Sequence, residues 1–114
     1  RATAVVGGAY VANQAIKLAV RRRRPQLPEL PALISTPTQL SFPSAHAASS
    51  FAAARVYAGL LPAAPLRLAA WTMAASRLYL GVHWPSDIVV GAALGAAIGR
   101  AGAAAFALEG AERR

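Results

Sequence analysis

Residues 76–87 read Ser-Arg-Leu-Tyr-Leu-Gly-Val-His-Trp-Pro-Ser-Asp, and this stretch decides how the rest of the chain is interpreted. It places a cation, an imidazole and a carboxylate, those of Arg77, His83 and Asp87, close together in a chain rich in alanine, leucine and valine. Proline is favoured at the first position of a helix, so we predict that Pro85 opens a helix with Asp87 in its first turn. Asp87 can then reach back to His83, fix the tautomer of its ring and raise its basicity, which would make the histidine a nucleophile. The alternative is a turn between two apolar helices, with a capped and acidic first turn.

The length and composition of the chain limit the kinds of site that it can build. Its 114 residues correspond to one domain, residues 1–114, and it contains no cysteine. Disulfides, thiolate nucleophiles and cysteine-ligated metals are therefore excluded, and His46 and His83 are too few for a histidine-rich metal site. We predict that the protein uses neither a metal nor a cofactor.

The charge balance of the chain is strongly basic, with 12 lysines and arginines against 4 acidic residues and a net charge of +8. Such a charge suits nucleic acid, an anionic membrane surface or a phosphorylated substrate. A hydrophobic fraction of 56% favours the membrane over nucleic acid. No uncharged apolar run reaches the roughly 18 residues of an unambiguous spanning helix. The candidate runs are interrupted by four cations: Lys17, Arg67, Arg77 and Arg100. In membranes such charges face a bundle interior, a cavity or the interface.

The pattern of apolar stretches and prolines predicts an all-α membrane bundle with about four helices in this chain. Segment 25–42 contains four prolines and cannot sustain a helix, so we predict an ordered connecting loop whose apolar side chains pack on the bundle. Residues 109–114 are predicted to form a polar end. The predicted helices are Ala2–Val20, 44 to near 61, about 66–80, and 85 or 86 to about 108.

Several residues outside the polar stretch have a structural interpretation. Gly91, Gly95 and Gly99 recur at four-residue spacing, which lets helices approach closely and predicts a packing face. The basic block 21–23 is typical of a solvated or lipid-headgroup patch, and Ser76 is predicted to support its helix rather than react. Three aromatic residues are predicted to anchor the chain at a membrane interface: Trp71, Tyr79 and Trp84.

Three short motifs carry the resemblance of this chain to a known family. In chain order they are Lys17-x6-Arg24-Pro25, Pro43-Ser44-Ala45-His46 and Ser76-Arg77-x5-His83-x3-Asp87. Each motif is weak alone, but their combination over residues 17–87 resembles the signature of the type 2 phosphatidic acid phosphatase superfamily. That superfamily includes bacterial lipid phosphatases, glucose-6-phosphatase and vanadium haloperoxidases. The chain departs from the family pattern at Ala45, where glycine is common; alanine keeps the backbone amide and resists only positive φ, which a helix start does not need.

The resemblance implies a role for each motif residue. His83 would attack phosphorus and form a phosphohistidine while Asp87 orients it, and His46 would protonate the leaving oxygen and then help water to attack. The other groups would bind the non-bridging phosphate oxygens: Lys17, Arg24, Arg77, the Ser44 hydroxyl and the Ala45 amide. The alternatives are ordinary interfacial histidines and a Lys17 that snorkels from the first helix.

The resemblance further implies an integral protein of the cell membrane that removes phosphate from a lipid whose tail lies among the helices. Family members commonly have six spanning helices, so two are expected before Arg1, or self-association into a homo-oligomer completes the bundle. Residues 24–46 and the alanine-rich composition resemble the actinobacterial branch. This branch implies removal of the 5-phosphate of decaprenylphosphoryl-5-phosphoribose on the way to cell-wall arabinan.

Other functions are open at this point. Within the family, the substrate could instead be a polyprenyl pyrophosphate, phosphatidic acid or phosphatidylglycerophosphate, because the motifs bind only the phosphate. From another class, the alternative is a non-catalytic membrane protein that binds anionic lipid through its basic block. A vanadium haloperoxidase would share the oxyanion cradle, but its larger soluble scaffold fits this short apolar chain badly.

Overall fold

The computed structural model describes residues 1–112, which form four α-helices joined by one long and two short connections. No β-strand forms within this range, so the all-α prediction is confirmed. A short 3-10 turn, Tyr57–Gly59, follows the second helix. The helices are α1 (Ala2–Val20), α2 (Ala45–Val56), α3 (Ala63–Tyr79) and α4 (Pro85–Glu112).

The observed helix boundaries differ from the predicted ones where the chain has a local alternative. The helix predicted to end near residue 61 ends at Val56, because the 3-10 turn takes up the next residues before Pro62. The third helix begins three residues earlier than predicted, since Pro65 is tolerated in a first turn, where its missing N–H is not needed. The polar end is helical as far as Glu112, and Arg113 and Arg114 lie outside the described residues.

The centre of the bundle is α2, which packs on α1, α3 and α4. Its approach to α4 is close because three glycines of α4 face its backbone. A Cβ at Gly95 would lie 2.0 Å from the Ala48 carbonyl oxygen, and a Cβ at Gly91 would lie 2.5 Å from that of Ser44. A Cβ at Gly99 would meet the Ala52 carbonyl oxygen at 2.9 Å. The predicted small-residue packing face is therefore confirmed.

One helix among residues 1–112, α4, is long and apolar enough to cross a membrane by its length and composition. The shortest helix, α2, has 12 residues and reaches about 18 Å, whereas the hydrocarbon core of a bilayer is about 30 Å thick. The four predicted helices are thus present, but only α4 meets the criterion for a span. Large apolar side chains on the outside of the bundle are exposed, with Val11 at 67% and Val89 at 66%.

The segment between α1 and α2 is an ordered loop, as predicted, and it folds back on itself. Its two ends pair in antiparallel fashion, with the Arg24 amide donating to the Gln39 carbonyl at 2.9 Å and the Ser41 amide to that of Arg22 at 2.8 Å. The prediction that its apolar side chains pack on the bundle is wrong for the middle of the loop, where Leu30 is 71% exposed. Here the chain is held mainly by backbone contacts, and its apolar side chains line a groove.

Candidate active site

The start of α4 places a carboxylate directly behind a histidine. Pro85 opens the helix, and the buried Asp87 in the first turn reaches back, so that its Oδ2 lies 3.3 Å from the His83 Nδ1. The same oxygen accepts a hydrogen bond of 2.8 Å from the Trp84 amide, which fixes the carboxylate at the helix start. The predicted relation between His83 and Asp87 is therefore present.

The surroundings of His83 determine which of its ring nitrogens carries the proton. The Arg24 Nη1 lies 3.2 Å from the His83 Nε2, and a guanidinium can only donate. Nε2 is therefore the acceptor, and Nδ1 carries the proton that faces Asp87. This tautomer leaves the lone pair of Nε2 directed towards the cation, which is where an anionic substrate would be drawn.

The electrostatic balance at His83 differs from the sequence prediction. Burial and the positive charge of Arg24 lower the pKa of His83 to about 4, although the hydrogen bond and charge of Asp87 raise it. The expectation that Asp87 raises the basicity of the ring is correct for the effect of Asp87. It is wrong for the net pKa, because burial and Arg24 outweigh Asp87. The ring is consequently neutral at pH 7, as a nitrogen nucleophile must be.

Arg24 is held rigidly beside the histidine by backbone carbonyls. Its Nε donates to the Thr38 carbonyl and its Nη1 to the Val82 carbonyl, each at 2.8 Å. Its Nη2 has no hydrogen-bond partner among residues 1–112. The guanidinium is thus oriented in advance and keeps donors free for a planar or tetrahedral anion.

Three cations converge on this region without a carboxylate partner. Within residues 1–112, neither Lys17, Arg24 nor Arg77 forms a salt bridge, and Lys17 is only 5% exposed. The charges of Lys17 and Arg24 both act on His83, and those of all three cations act on His46. A buried cation is costly unless an anion compensates it. The arrangement therefore favours an anionic ligand.

The start of α2 contributes the second motif. Ser44 is buried and caps the helix, because its Oγ accepts from the Ala47 amide at 3.3 Å. Its own amide donates to the Asp87 carbonyl at 3.0 Å, which joins the starts of α2 and α4. Ala45 follows with a negative φ, so alanine is accommodated here as expected. Its amide has no partner among residues 1–112 and is free to donate to an anion.

His46 lies on the first turn of α2 and is exposed. It lines a small cavity of about 160 Å³ with Tyr10 and Ala45, whereas His83 lines a separate groove of about 480 Å³. Although the side chain reaches solvent, the protein that surrounds the rest of the ring partly desolvates it and lowers the pKa of His46, and the positive charges of Arg77, Arg24 and Lys17 lower it further. The structure thus puts His46 within reach of the same cations as His83, with Arg24 placed against the His83 ring.

Sequence analysis missed one residue of the site, Arg22. Its Nη1 lies 3.0 Å from the Asp87 Oδ1 and 2.6 Å from the Ser86 Oγ, and its guanidinium stacks on the Phe42 ring at 4.7 Å. A signal for this was present in the sequence: Pro25 makes the preceding residue extended, and in an extended chain side chains alternate. The exposure follows that alternation from Arg22 to Arg24, since Arg23 is exposed whereas Arg22 and Arg24 are half-buried.

The remaining predicted residues lie at the edge of the site. Ser76 donates to the Met73 carbonyl of its own helix at 2.7 Å, as expected for a supporting residue. Trp71 and Tyr79 are 60% and 81% exposed, and Trp84 is 38% exposed with its Nε1 donating to the Arg23 carbonyl at 3.0 Å. The aromatic side chains therefore present apolar surface outwards.

Comparison with known proteins agrees with the motifs. Residues 1–109 match the PAP2 superfamily, that is, the type 2 phosphatidic acid phosphatases. The decaprenylphosphoryl-5-phosphoribose phosphatase of Mycobacterium tuberculosis is 50% identical over 96 residues, which cover 81% of this chain and 54% of that protein. Its namesake in Mycolicibacterium smegmatis is 47% identical over 91 residues, covering 77% of this chain and 51% of that protein.

The chain spans about half the length of these curated relatives. No solved structure matches it significantly. The family match nevertheless extends over almost the whole chain and includes all three motifs. The resemblance predicted from the motifs is confirmed, and the chain belongs to the PAP2 superfamily.

Proposed function

We propose that this chain forms the catalytic part of a metal-independent membrane lipid phosphatase that works through a phosphohistidine. The observation that carries the proposal is a group of cations that have no carboxylate partner within residues 1–112 and lie beside a histidine backed by Asp87: Lys17, Arg24 and Arg77. Three positive charges can neutralise a phosphate dianion and the charge that develops during transfer, which is the part that a metal plays in other phosphatases.

In the first step, the His83 Nε2 attacks phosphorus. The N–P bond forms as the ester P–O bond breaks, and His46 gives its proton to the leaving oxygen. The Nδ1–H of His83 faces Asp87, so the carboxylate stabilises the positive charge that develops on the ring. As the Nε2 lone pair engages phosphorus, the Arg24 N–H that faced it donates to a phosphate oxygen instead.

In the second step, water cleaves the phosphohistidine. His46, now neutral, takes a proton from the water, whose oxygen bonds to phosphorus as the N–P bond breaks. Phosphate leaves, and both histidines return to their starting protonation states. The Ser44 hydroxyl and the Ala45 amide at the start of α2 donate to the non-bridging oxygens throughout.

The substrate is proposed from the relatives. Their names specify decaprenylphosphoryl-5-phosphoribose, and we assign this chain the removal of the 5-phosphate from that lipid. An apolar groove of about 480 Å³ adjoins His83 and supports a lipid substrate; its walls include Leu27, Leu30, Leu33 and Tyr79. We infer that α4 spans the cell membrane and that the exposed aromatic side chains lie at the boundary between the membrane and water.

The test is a lipid-phosphate panel on purified wild type and on His83→Ala. The panel contains decaprenylphosphoryl-5-phosphoribose, a polyprenyl pyrophosphate, phosphatidic acid and phosphatidylglycerophosphate. We expect phosphate release by the wild type, fastest from the ribose lipid, and none above background by His83→Ala. Equal phosphate release by both proteins would contradict the proposed catalytic function and favour a protein that only binds anionic lipid.

A further inference from the structure

Another cavity lies beside the proposed phosphate site and has a different character from the apolar groove. It has a volume of about 620 Å³ and lies between the connecting loop and the turn that holds Gly81 and Val82. Arg24 lies in its wall, and the Nη1 of this residue is 3.2 Å from the His83 Nε2. The cavity therefore adjoins the position that a phosphate held by Arg24 would take.

Polar but uncharged side chains face this cavity. Gln26, Ser35 and Gln39 line it, and none of the three side chains has a hydrogen-bond partner among residues 1–112. Amide and hydroxyl groups donate and accept at once, which is the chemistry that matches sugar hydroxyls. Arg24 is the single charged residue in the wall, so negative charge is attracted at that end alone.

The volume of the cavity also limits its occupant. About 620 Å³ falls within the range of small-molecule sites and exceeds what a single phosphate requires. The cavity shares Leu27, Pro31 and Gly81 with the apolar groove, so the two lie on either side of one segment of the loop. A polar headgroup in the cavity can thus continue into an apolar chain in the groove.

We infer that this cavity is a sugar subsite that binds a pentose ring between the reacting phosphate and the rest of the lipid. The inference rests on the proposed function and adds to it a structural basis for selecting a sugar phosphate. Gln26, Ser35 and Gln39 bind the hydroxyls of the ring, while Arg24 binds the terminal phosphate. Phosphate esters of a sugar are then preferred to phosphatidic acid, which offers no ring hydroxyls to these side chains.

The test is a triple variant, Gln26→Leu/Ser35→Ala/Gln39→Leu, compared with Glu29→Leu as a control in the same loop that does not line the cavity. For the triple variant we expect kcat/KM on decaprenylphosphoryl-5-phosphoribose to fall about tenfold or more, since each lost hydrogen bond costs a factor of a few. The fall on phosphatidic acid should be smaller than threefold. Glu29→Leu should resemble the wild type on both lipids.

An equal fall on both lipids, or no fall on either, would overturn the subsite. If the wild type releases phosphate from neither lipid, the proposed function fails, and a binding measurement decides on the cavity separately. Calorimetric titration of His83→Ala with ribose 5-phosphate and with inorganic phosphate provides it. Tighter binding of ribose 5-phosphate, lost in the triple variant, supports the subsite; equal affinities for both ligands refute it.

Discussion

Arg22 and Asp87 form an ion pair that ties the end of α1 to the start of α4. The Arg22 Nη1 lies 3.0 Å from the Asp87 Oδ1, while the other carboxylate oxygen faces the His83 Nδ1. Asp87 is fully buried, so its two oxygens are held from opposite sides by a cation and by the ring that it orients. Arg22 contacts the carboxylate and not the histidine, so we predict that it is a positioning residue that acts on His83 through Asp87.

Arg22→Ala should lower kcat by about 10-fold to 100-fold, the usual effect of losing a group that orients a ligand. KM should change little, because Arg22 contacts Asp87 rather than the phosphate. Removal of the cation leaves the charge of Asp87 without its Arg22 partner, so the carboxylate should act more strongly on the ring and the pKa of His83 should rise. Steady-state kinetics and an NMR titration of the imidazole measure both effects, and a merely structural role would leave the titration unchanged.

Arg21→Ala and Arg23→Ala are matched controls for that variant, because each removes the same charge from an exposed neighbour in the same block. Both should retain activity within about twofold, as is usual for exposed surface charges. Arg22→Lys should recover part of the loss, since lysine keeps the charge but lacks the planar fork. If all three alanine variants lose the same activity, the block acts only through its summed charge on the lipid surface.

The proposed mechanism predicts a covalent phosphohistidine intermediate, and replacing either histidine should affect its level in opposite ways. His83→Ala should form none, whereas His46→Asn should form it from a phosphate ester with a good leaving group, which needs no acid. Hydrolysis of the intermediate should then slow by about 10²-fold to 10⁴-fold, because the general base is lost. Mass spectrometry of acid-sensitive phosphate on His83 measures its level. Phosphate on another residue, or none in His46→Asn, would contradict the mechanism.

The sequence predicts the number and order of the helices and the contact between His83 and Asp87, because the signals for these features are local. Pro85 and the following Asp87 specify a helix start within a few residues. The prolines between α2 and α3 mark a break between the two helices but not its exact bounds, since α2 ends at Val56 and α3 begins at Ala63. The contact between Arg22 and Asp87 is different, because it joins residues 65 positions apart and depends on which side of the loop each arginine faces. Only the alternation that begins at Pro25 pointed to it.

The pKa of His83 and the exposure of the loop could not be predicted from composition. The sign of the pKa shift depends on whether burial and Arg24 outweigh Asp87, and this balance follows from distances rather than spacing. Leu30 and Leu33 are apolar enough to predict packing, yet they are 71% and 61% exposed. In a lipid environment such side chains need no cover, so hydrophobicity alone does not tell a core residue from a groove residue.

The pH dependence of kcat/KM should have an acidic optimum. Protonation of the His83 Nε2 blocks attack, so activity is lost as the pH falls through the pKa of about 4. His46 must be protonated to act as the acid, and burial and nearby cations lower its pKa below the usual value of about 6.5. Activity should therefore decline as the pH rises through that lowered pKa, and the maximum should lie between about pH 4 and pH 6.5.

Arg24→Met tests the cause of the low pKa at His83. Loss of the positive charge should raise the pKa of His83 above about 4, because the cation disfavours a protonated ring, while burial, the larger cause, still holds it below about 6.5. An NMR titration in the His46→Gln background measures the His83 ring alone, because the chain then contains no other histidine. A pKa that stays near 4 would mean that burial alone sets it, and a wild-type pKa near 6.5 would contradict the burial of the ring.

The close approach of α2 and α4 predicts that Gly95 tolerates no side chain. Even the Cβ of Gly95→Ala would lie 2.0 Å from the Ala48 carbonyl oxygen, so the two helices must separate. Overpacking of this kind costs about 1–3 kcal/mol, and the separation would also loosen the starts of both helices, where Ser44 and Asp87 are joined. Gly7→Ala on α1 is the matched control, since its Cβ meets nothing within 4 Å and alanine favours a helix. Thermal unfolding in detergent should show a lower midpoint for Gly95→Ala and an equal or higher one for Gly7→Ala; an unchanged midpoint for Gly95→Ala would contradict the packing of these helices.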